Sequence, residues 1–179
     1  MKELLEKHTS FIRFRLTINC RNTKPICEEI QTITGFRPHT ESWTNVDGPP
    51  VNYLTYNSQE DQLCKLSKLL TNLSEMHIEA DKITILSPRR KENSVVSLLA
   101  GFEISDYKIP QNNGITFCTI QAYKGLENTV IILTDIEDLS LDKLMYVGLS
   151  RARSGLYVLE SQSASNEYFS LLKRRLFHE

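Results

Sequence analysis

The amino-acid sequence predicts an α/β protein, a single domain in which helices cover both faces of a parallel sheet. Short apolar segments alternate with helical patterns along the whole chain, which is typical of this class. The chain has 179 residues, and 40% of them are hydrophobic. A domain of this length buries roughly 70% of the surface that its unfolded chain exposes, so it needs no disulfide or metal to stay folded. We therefore expect one domain over residues 1–179.

The composition argues against several classes of protein. No run of 18 apolar residues occurs, and acidic residues lie near the amino terminus where a signal peptide would be apolar, so we expect a cytoplasmic protein with no membrane partner. The 21 Lys and Arg residues nearly balance the 22 Asp and Glu residues, which argues against a general polyanion binder but allows a local basic groove. The four cysteines form no CxxC pair and predict reduced core thiols without a zinc site; they are Cys20, Cys27, Cys64 and Cys118.

The first predicted unit is a strand followed by a helix. Residues 13–20 alternate polar and apolar side chains, as a half-buried strand does. Asn22 or Thr23 then caps a helix that has Pro25 in its first turn and ends near Gly35.

A second strand and helix follow an irregular loop. Residues 36–50 are rich in proline and predict the loop, and residues 51–56 predict a strand. Ser58 and Asp61 resemble a capping box at the start of a long amphipathic helix. The apolar face of this helix carries Leu63, Leu66, Leu70, Leu73 and Met76.

The middle of the chain predicts three more strands. Residues 82–86 form a short buried strand, and we expect a helix over 87–99. After a turn at 112–114, strands over 115–120 and 129–133 flank a polar segment.

The last third of the chain predicts a helix from Ser140 to about Ala152, a strand over 155–159 and a final helix over 168–177. In open parallel sheets, ligands bind beyond the carboxyl ends of the strands. The charged or polar candidates expected at that edge are Arg21, Arg89, Arg90, residues 121–127, Asp135 and Arg151.

The segment from Thr119 to Glu127 joins two apolar strands and has the residue types of an anion site. Lys124 and Gly125 would let an ammonium group and the backbone approach an anion, while Gln121 and its neighbours could pair with a sugar or base edge. The alternative is a solvated loop with a turn glycine.

Arg151 lies at the edge of the apolar face of the predicted helix, whereas Arg153 points to the far side. An arginine at such a boundary binds either a structural carboxylate, for example Asp135 or Glu137, or a phosphate in bidentate fashion. Gly148, one turn earlier, would let the helix approach a neighbouring element closely.

Two segments, in this order, resemble motifs V and VI of superfamily 1 helicases of the UvrD, PcrA and Rep type. TIQAYKGLENTVIIL is similar to T-x-H-x-x-KGLE with its apolar strand and places motif V at residues 118–127. YVGLSRAR is similar to YVG-[IL]-[ST]-RA and places motif VI at residues 144–153. Upstream, LTINCRNTKPI resembles L-x-x-NYRS/T-x-x-I, a motif IV-like region at residues 16–26.

The resemblance implies that the chain is the second RecA-like domain of an ATP-dependent DNA helicase or translocase. In such enzymes ATP and Mg²⁺ lie between two RecA-like domains, and the first domain carries the P-loop and the metal-binding carboxylates. None of the seven glycines here is followed by Lys, so the chain has no P-loop of its own. The expected partners are therefore a P-loop RecA-like domain, in cis or in trans, and single-stranded DNA, and the isolated chain is expected to be inactive.

The same resemblance implies a role for each matching residue. Arg151 is the implied arginine finger, and Arg21 is a second arginine that reaches the γ-phosphate. The other implied contacts are those of Glu127, Gly125 and Lys124 with the nucleotide, and those of Thr119 and Gln121 with single-stranded DNA. The sequence departs from the family in having Gln121 in place of His and only about thirty residues between Pro88 and Thr119, where typical members insert a large subdomain.

Three further patterns leave alternatives open. VIILTDIED imitates a Walker B strand, but without a P-loop Asp135 is expected to be a cap or a salt-bridge partner, and we predict no metal site. Arg89 and Arg90 either contact the phosphates of the bound strand or begin a solvated helix. The other functions considered are a degenerate helicase-like module without motor activity and a metal-dependent phosphoryl-transfer or receiver-like domain built around Asp135.

Overall fold

The computed structural model describes residues 21–35, 46–107 and 114–176. The helices in these ranges are α1 (Lys24–Thr34), α2 (Gln59–Glu75), α3 (Asp142–Leu149) and α4 (Gln162–Leu176). The strands are β1 (Asn52–Tyr56), β2 (Ile83–Ser87), β3 (Ile104–Asp106), β4 (Ile115–Thr119), β5 (Asn128–Ile136) and β6 (Ala152–Ser161).

The strands form one parallel sheet in the order β1-β6-β5-β2-β4-β3. Helices α1, α3 and α4 pack on one face of the sheet, and α2 packs on the other. The predicted fold class is therefore confirmed. The central strands β2 and β5 are buried almost throughout, because both of their faces are covered.

Local chemistry fixes the ends of the first two helices largely as predicted, although the side chain of Thr23, the N-cap residue of α1, makes no capping hydrogen bond. Pro25 lies in the first turn of α1, and Gly35 ends it with a φ of 67°, where its amide donates to the carbonyl of Gln31. The Ser58 hydroxyl accepts a hydrogen bond from the amide of Asp61 at 3.2 Å and caps α2.

The helix predicted over 87–99 is wrong. The segment forms two short 3₁₀ turns, Lys91–Asn93 and Val95–Leu98. Ser94 caps the second turn and also donates to a buried carboxylate, so side-chain hydrogen bonds replace the continuous helical ladder. The three-residue strand β3 was not predicted.

The helix predicted from Ser140 to Ala152 is shorter at both ends. Leu141, not Ser140, is the N-cap residue of α3, and the chain turns at Ser150 after α3 ends. Ala152 pairs with Asn128 as the first residue of β6, so strand pairing overrides the helical periodicity of this segment. Arg151 therefore lies in a turn and not on a helix. The last helix begins at Gln162, earlier than the predicted 168.

Some predictions fall on residues outside the described ranges. These are the strand over 13–20, most of the loop over 36–50, Cys20 and part of the turn at 112–114. Cys27 and Cys118 are buried, as predicted, but Cys64 is exposed on the outer side of α2, so the core prediction is wrong there. Within the described residues, no helix is both long enough and apolar enough to span a membrane.

Candidate functional site

The predicted site residues lie at the two opposite ends of the parallel strands, called here the amino edge and the carboxyl edge of the sheet. Glu127 and Arg151 precede β5 and β6 at the amino edge, whereas Thr119 and Arg89 lie at the carboxyl ends of β4 and β2. The nine residues of β5 span roughly 25 Å between these edges. The expectation that all candidates would share the carboxyl edge is therefore wrong, because the segment after β4 must return to the amino end of β5 in a parallel sheet.

Arg151 is held by uncharged acceptors. Its side chain bonds the carbonyl of Val147 from Nε at 2.9 Å, the carbonyl of Leu126 from Nη1 at 3.2 Å and the hydroxyl of Ser150 from Nη2 at 2.8 Å. Arg151 is only 8% exposed and has no ion pair with any described residue. Burial lowers the pKa of its guanidinium, and the nearby charge of Arg21 lowers it further. Neither Asp135 nor Glu137 serves as its counter-ion, so the structural-carboxylate alternative is not what the structure shows.

Asn22 connects the start of α1 to the turn that carries Arg151. Its side-chain amide donates to the carbonyl of Ser150 at 3.2 Å and to that of Ala152 at 2.6 Å, and Asn22 is 4% exposed. The amide of Asn128 donates to the carbonyl of Arg151 itself at 3.2 Å. The backbone around Arg151 is thus fixed from two other segments of the chain.

Arg21 and Glu127 form an ion pair beside this turn. The Nε of Arg21 lies 2.5 Å from one carboxylate oxygen of Glu127, and the Nε of Arg153 lies 3.9 Å from the other. All three side chains are exposed by 39% or more, so solvent screens the pairs. Arg153 belongs to β6 and faces Glu127, which corrects its predicted position on the far side of a helix.

Lys124 and Gly125 lie on the exposed part of the segment that joins β4 to β5. Gly125 has a φ of 92°, a conformation that other residues rarely adopt, and apart from Gly125 and its two chain neighbours no described atom lies within 4 Å of the position that a Cβ would occupy there. The buried side chain of Tyr123 anchors this segment and lies 3.3 Å, hydroxyl to hydroxyl, from Thr84 on β2. The Lys124 side chain makes no ion pair with another described residue.

The residues predicted to contact nucleic acid lie at the carboxyl edge. The Thr119 hydroxyl accepts from the amide of Ala122 at 3.3 Å, and Gln121 is exposed. Arg89 forms a 2.8 Å ion pair with Glu137, and Arg90 is exposed with no ion pair among the described residues.

Asp135 is a structural cap at the same edge. It is 3% exposed and has a φ of 59° next to an irregularity in the pairing of β5 with β6. Its carboxylate accepts from Ser87 and Ser94 at 2.6 Å, from the amide of Val95 at 3.3 Å and from Gln62 at 3.1 Å. The structure therefore shows the predicted cap, and the described residues contain no cluster of three or more acidic, His or Cys side chains that could hold a metal ion.

Sequence reasoning missed three residues that shape these edges. Asn22 was considered only as a helix cap, although its side chain bonds Ser150 and Ala152 across the fold. Gln62 and Tyr56 line a cavity at the carboxyl edge. Gln62 offered a signal, because it is a polar residue on the apolar face of α2, four residues before Leu66.

Comparisons with known proteins support the fold. No protein-family model and no curated protein matches the sequence. Among solved structures, the C-terminal domain of a possible DNA helicase from Lactobacillus plantarum WCFS1 superposes with a TM-score of 0.64 at 17% sequence identity, over 80% of this chain and 88% of that chain. The chain therefore has the α/β fold of a helicase C-terminal RecA-like domain, one parallel sheet with helices on both faces.

Proposed function

We propose that this chain is the C-terminal RecA-like half of an ATP-dependent superfamily 1 DNA helicase or translocase of the UvrD, PcrA and Rep type. A P-loop RecA-like domain, in cis or in trans, completes its ATP site. The observation that carries the proposal is the meeting of Arg21, Glu127 and Arg151 at one edge of the sheet, from three segments far apart in sequence. These segments are the ones whose motifs resemble the helicase family.

The bonding of Arg151 suits a residue that stabilises phosphoryl transfer. A guanidinium carries five N–H donors, and the three hydrogen bonds to Val147, Leu126 and Ser150 use Nε, Nη1 and Nη2 once each, so two donors remain for a ligand. A buried cation without a counter-ion favours an anion that arrives from outside. The bonds to Val147, Leu126 and Ser150 hold the fork in place before the anion arrives, which is the preorganisation that catalysis of this kind uses.

The nucleotide would meet a cationic surface that carries one carboxylate. Arg21 would leave Glu127 for the γ-phosphate, and Glu127 would accept a hydrogen bond from the ribose. The pair is exposed, so exchanging one partner for another costs little. Mg²⁺ would be held by carboxylates of the P-loop domain, where it supplies charge stabilisation to the phosphates, because the one carboxylate here is already engaged by arginines.

Single-stranded DNA would cross the carboxyl edge of the sheet. Thr119, Gln121, Arg89 and Arg90 offer hydroxyl, amide and guanidinium groups to it. Residues 119–127 run from this edge to the nucleotide edge, so one segment contacts both ligands. A shift of this segment would couple nucleotide state to the grip on the strand.

The test is the ATPase assembled from this chain and its P-loop domain. Arg151→Ala is expected to lower turnover by about 10³- to 10⁵-fold with a modest loss of nucleotide binding, as for arginine fingers in general. Arg153→Ala is the matched control, since Arg153 is two residues away and is exposed, and it is expected to keep turnover within about twofold.

Unchanged turnover in Arg151→Ala would refute the finger assignment. If the chain binds DNA but no P-loop domain responds to it, a nucleic-acid-binding module without motor activity becomes the better account.

A further inference from the structure

A cavity opens at the carboxyl edge between β1 and β6. Its volume is about 560 Å³, within the range of small-molecule sites in proteins. Its walls come from the end of β1, the first turns of α2 and α4, and the residues after β2 and β5; they include Tyr56, Ser58, Gln62, Arg89, Glu137 and Ser163.

The position of the cavity is one where parallel sheets bind ligands. From β1 the chain continues into α2 on one face of the sheet, whereas from the neighbouring β6 it continues into α4 on the opposite face. Such a reversal between adjacent parallel strands leaves a crevice outside their carboxyl ends.

Tyr56 brings a free hydroxyl to this cavity. The residue is 7% exposed, yet its hydroxyl makes no hydrogen bond to any described residue. Burial, together with the carboxylates of Glu137 and Asp135, raises the pKa of Tyr56, so the phenol keeps its proton and can donate it. The residue is buried but its hydroxyl is not sealed from the cavity, so a ligand there can pair with it.

Gln62 brings a hydrogen-bond acceptor to the lining of the same cavity. It is 4% exposed, and its Nε2 donates to Thr134 at 2.9 Å and to Asp135 at 3.1 Å. These two bonds fix the orientation of the amide, and within the described part of the chain nothing donates to its Oε1. The cavity therefore offers one donor and one acceptor on side chains that are both more than nine-tenths buried.

The lining favours an uncharged polar ligand. Its two charged residues, Arg89 and Glu137, neutralise each other in a 2.8 Å ion pair, and its other residues are uncharged. A planar ring whose edge both donates and accepts hydrogen bonds can pair with a tyrosine hydroxyl and an amide oxygen, and each nucleobase has such an edge.

We propose that this cavity receives one unstacked base of the bound single strand, with Tyr56 and Gln62 on the edge of the base and Arg89 beside the adjoining phosphate. This inference rests on the proposed function, since the strand brings the base to the carboxyl edge. A base that is already single-stranded costs little to unstack, so its binding adds to affinity.

The experiment measures binding of a labelled oligonucleotide of about 12 nucleotides by fluorescence anisotropy, beside an oligonucleotide of the same backbone with abasic residues. Tyr56→Phe removes only the hydroxyl, which bonds no described residue, so the fold and the melting temperature are expected to be unchanged. It is expected to weaken binding of the base-bearing strand about three- to tenfold, the usual effect of one hydrogen bond, and to leave the abasic strand within about twofold.

Tyr157→Phe is the matched control, because Tyr157 lies on β6 outside the cavity lining, and both oligonucleotides are expected to bind it as they bind the wild type. Equal affinity of Tyr56→Phe and the wild type for the base-bearing strand would overturn the pocket and leave the proposed function standing. An equal loss on both strands would also overturn it, since the hydroxyl would then act without the base. If the wild type binds neither strand even when its P-loop domain is present, the proposed function fails and the pocket fails with it.

Discussion

Replacing Asp135 is expected to cost more stability than replacing any other acidic residue at the carboxyl end of β5. The carboxylate accepts four hydrogen bonds, from Ser87, Ser94, Val95 and Gln62, and all four donors are buried. At about 1 kcal/mol net for each bond, Asp135→Ala loses roughly 4 kcal/mol. The φ of 59° adds about 1 kcal/mol, because alanine adopts this region less readily than aspartate.

Asp135→Asn separates the charge from the shape of the side chain. Asparagine tolerates the same backbone conformation, and its oxygen can keep the bonds from Val95 and Gln62, while the two serine hydroxyls can turn to accept from its amide. We therefore expect Asp135→Asn to cost about 1–2 kcal/mol against roughly 5 kcal/mol for Asp135→Ala. The control is Asp138→Ala, an exposed position whose carboxylate accepts the amide of Ser140 at 2.7 Å, with an expected cost of about 1 kcal/mol or less.

The assay is urea unfolding followed by circular dichroism, with the free energy of unfolding compared at equal m-values. A cost for Asp135→Ala no larger than that of Asp138→Ala would refute the hydrogen-bond reasoning. A magnesium-dependent rise in the melting temperature of the wild type that Asp135→Asn abolishes would instead indicate a metal site at this residue.

Two further predictions concern buried polar groups. Burial raises the pKa of Glu160 to about 7; the Ser165 hydroxyl opposes this shift and the charge of Glu29 adds to it. Because the folded state holds this proton more tightly than the unfolded state, the stability of the wild type should fall as the pH rises from about 4.3 to about 7. Glu160→Gln should remove that fall and should be up to about 3 kcal/mol more stable than the wild type at pH 8. Urea unfolding of both proteins at pH 5 and pH 8 measures the difference. Asn22→Ala should lower the free energy of unfolding by about 2 kcal/mol in the same assay, because it leaves the carbonyls of Ser150 and Ala152 without their donor. A loss below about 0.5 kcal/mol would contradict the stabilising role of these two hydrogen bonds.

Local signals predicted much of the fold. Ser58 and Gly35 act on neighbouring residues only, so the helix ends that they specify could be read from the sequence. The alternation of strands and helices along the sequence was sufficient to predict the parallel sheet. Local periodicity failed where a distant partner decided the outcome, as at Ala152, which pairs with Asn128 in the sheet although its spacing from Leu149 fits a helix.

The sequence named candidate residues one by one but did not predict their arrangement. Motif spacing selected Arg21, Glu127 and Arg151, and these three lie together. Their separation from Thr119 and Arg89 depends on the strand order of the sheet, which no local pattern encodes. The contact of Gln62 with Asp135 joins residues 73 positions apart, so only the folded chain reveals it.

The rate of ATP hydrolysis in the presence of single-stranded DNA, measured for this chain alone and again after addition of its P-loop domain, tests whether the chain is one half of a motor. We expect no turnover by the chain alone, because it has no P-loop, and DNA-stimulated turnover in the mixture, which needs Arg151 of this chain. Turnover by the pure chain alone, or hydrolysis by the P-loop domain that does not respond to this chain, would contradict it.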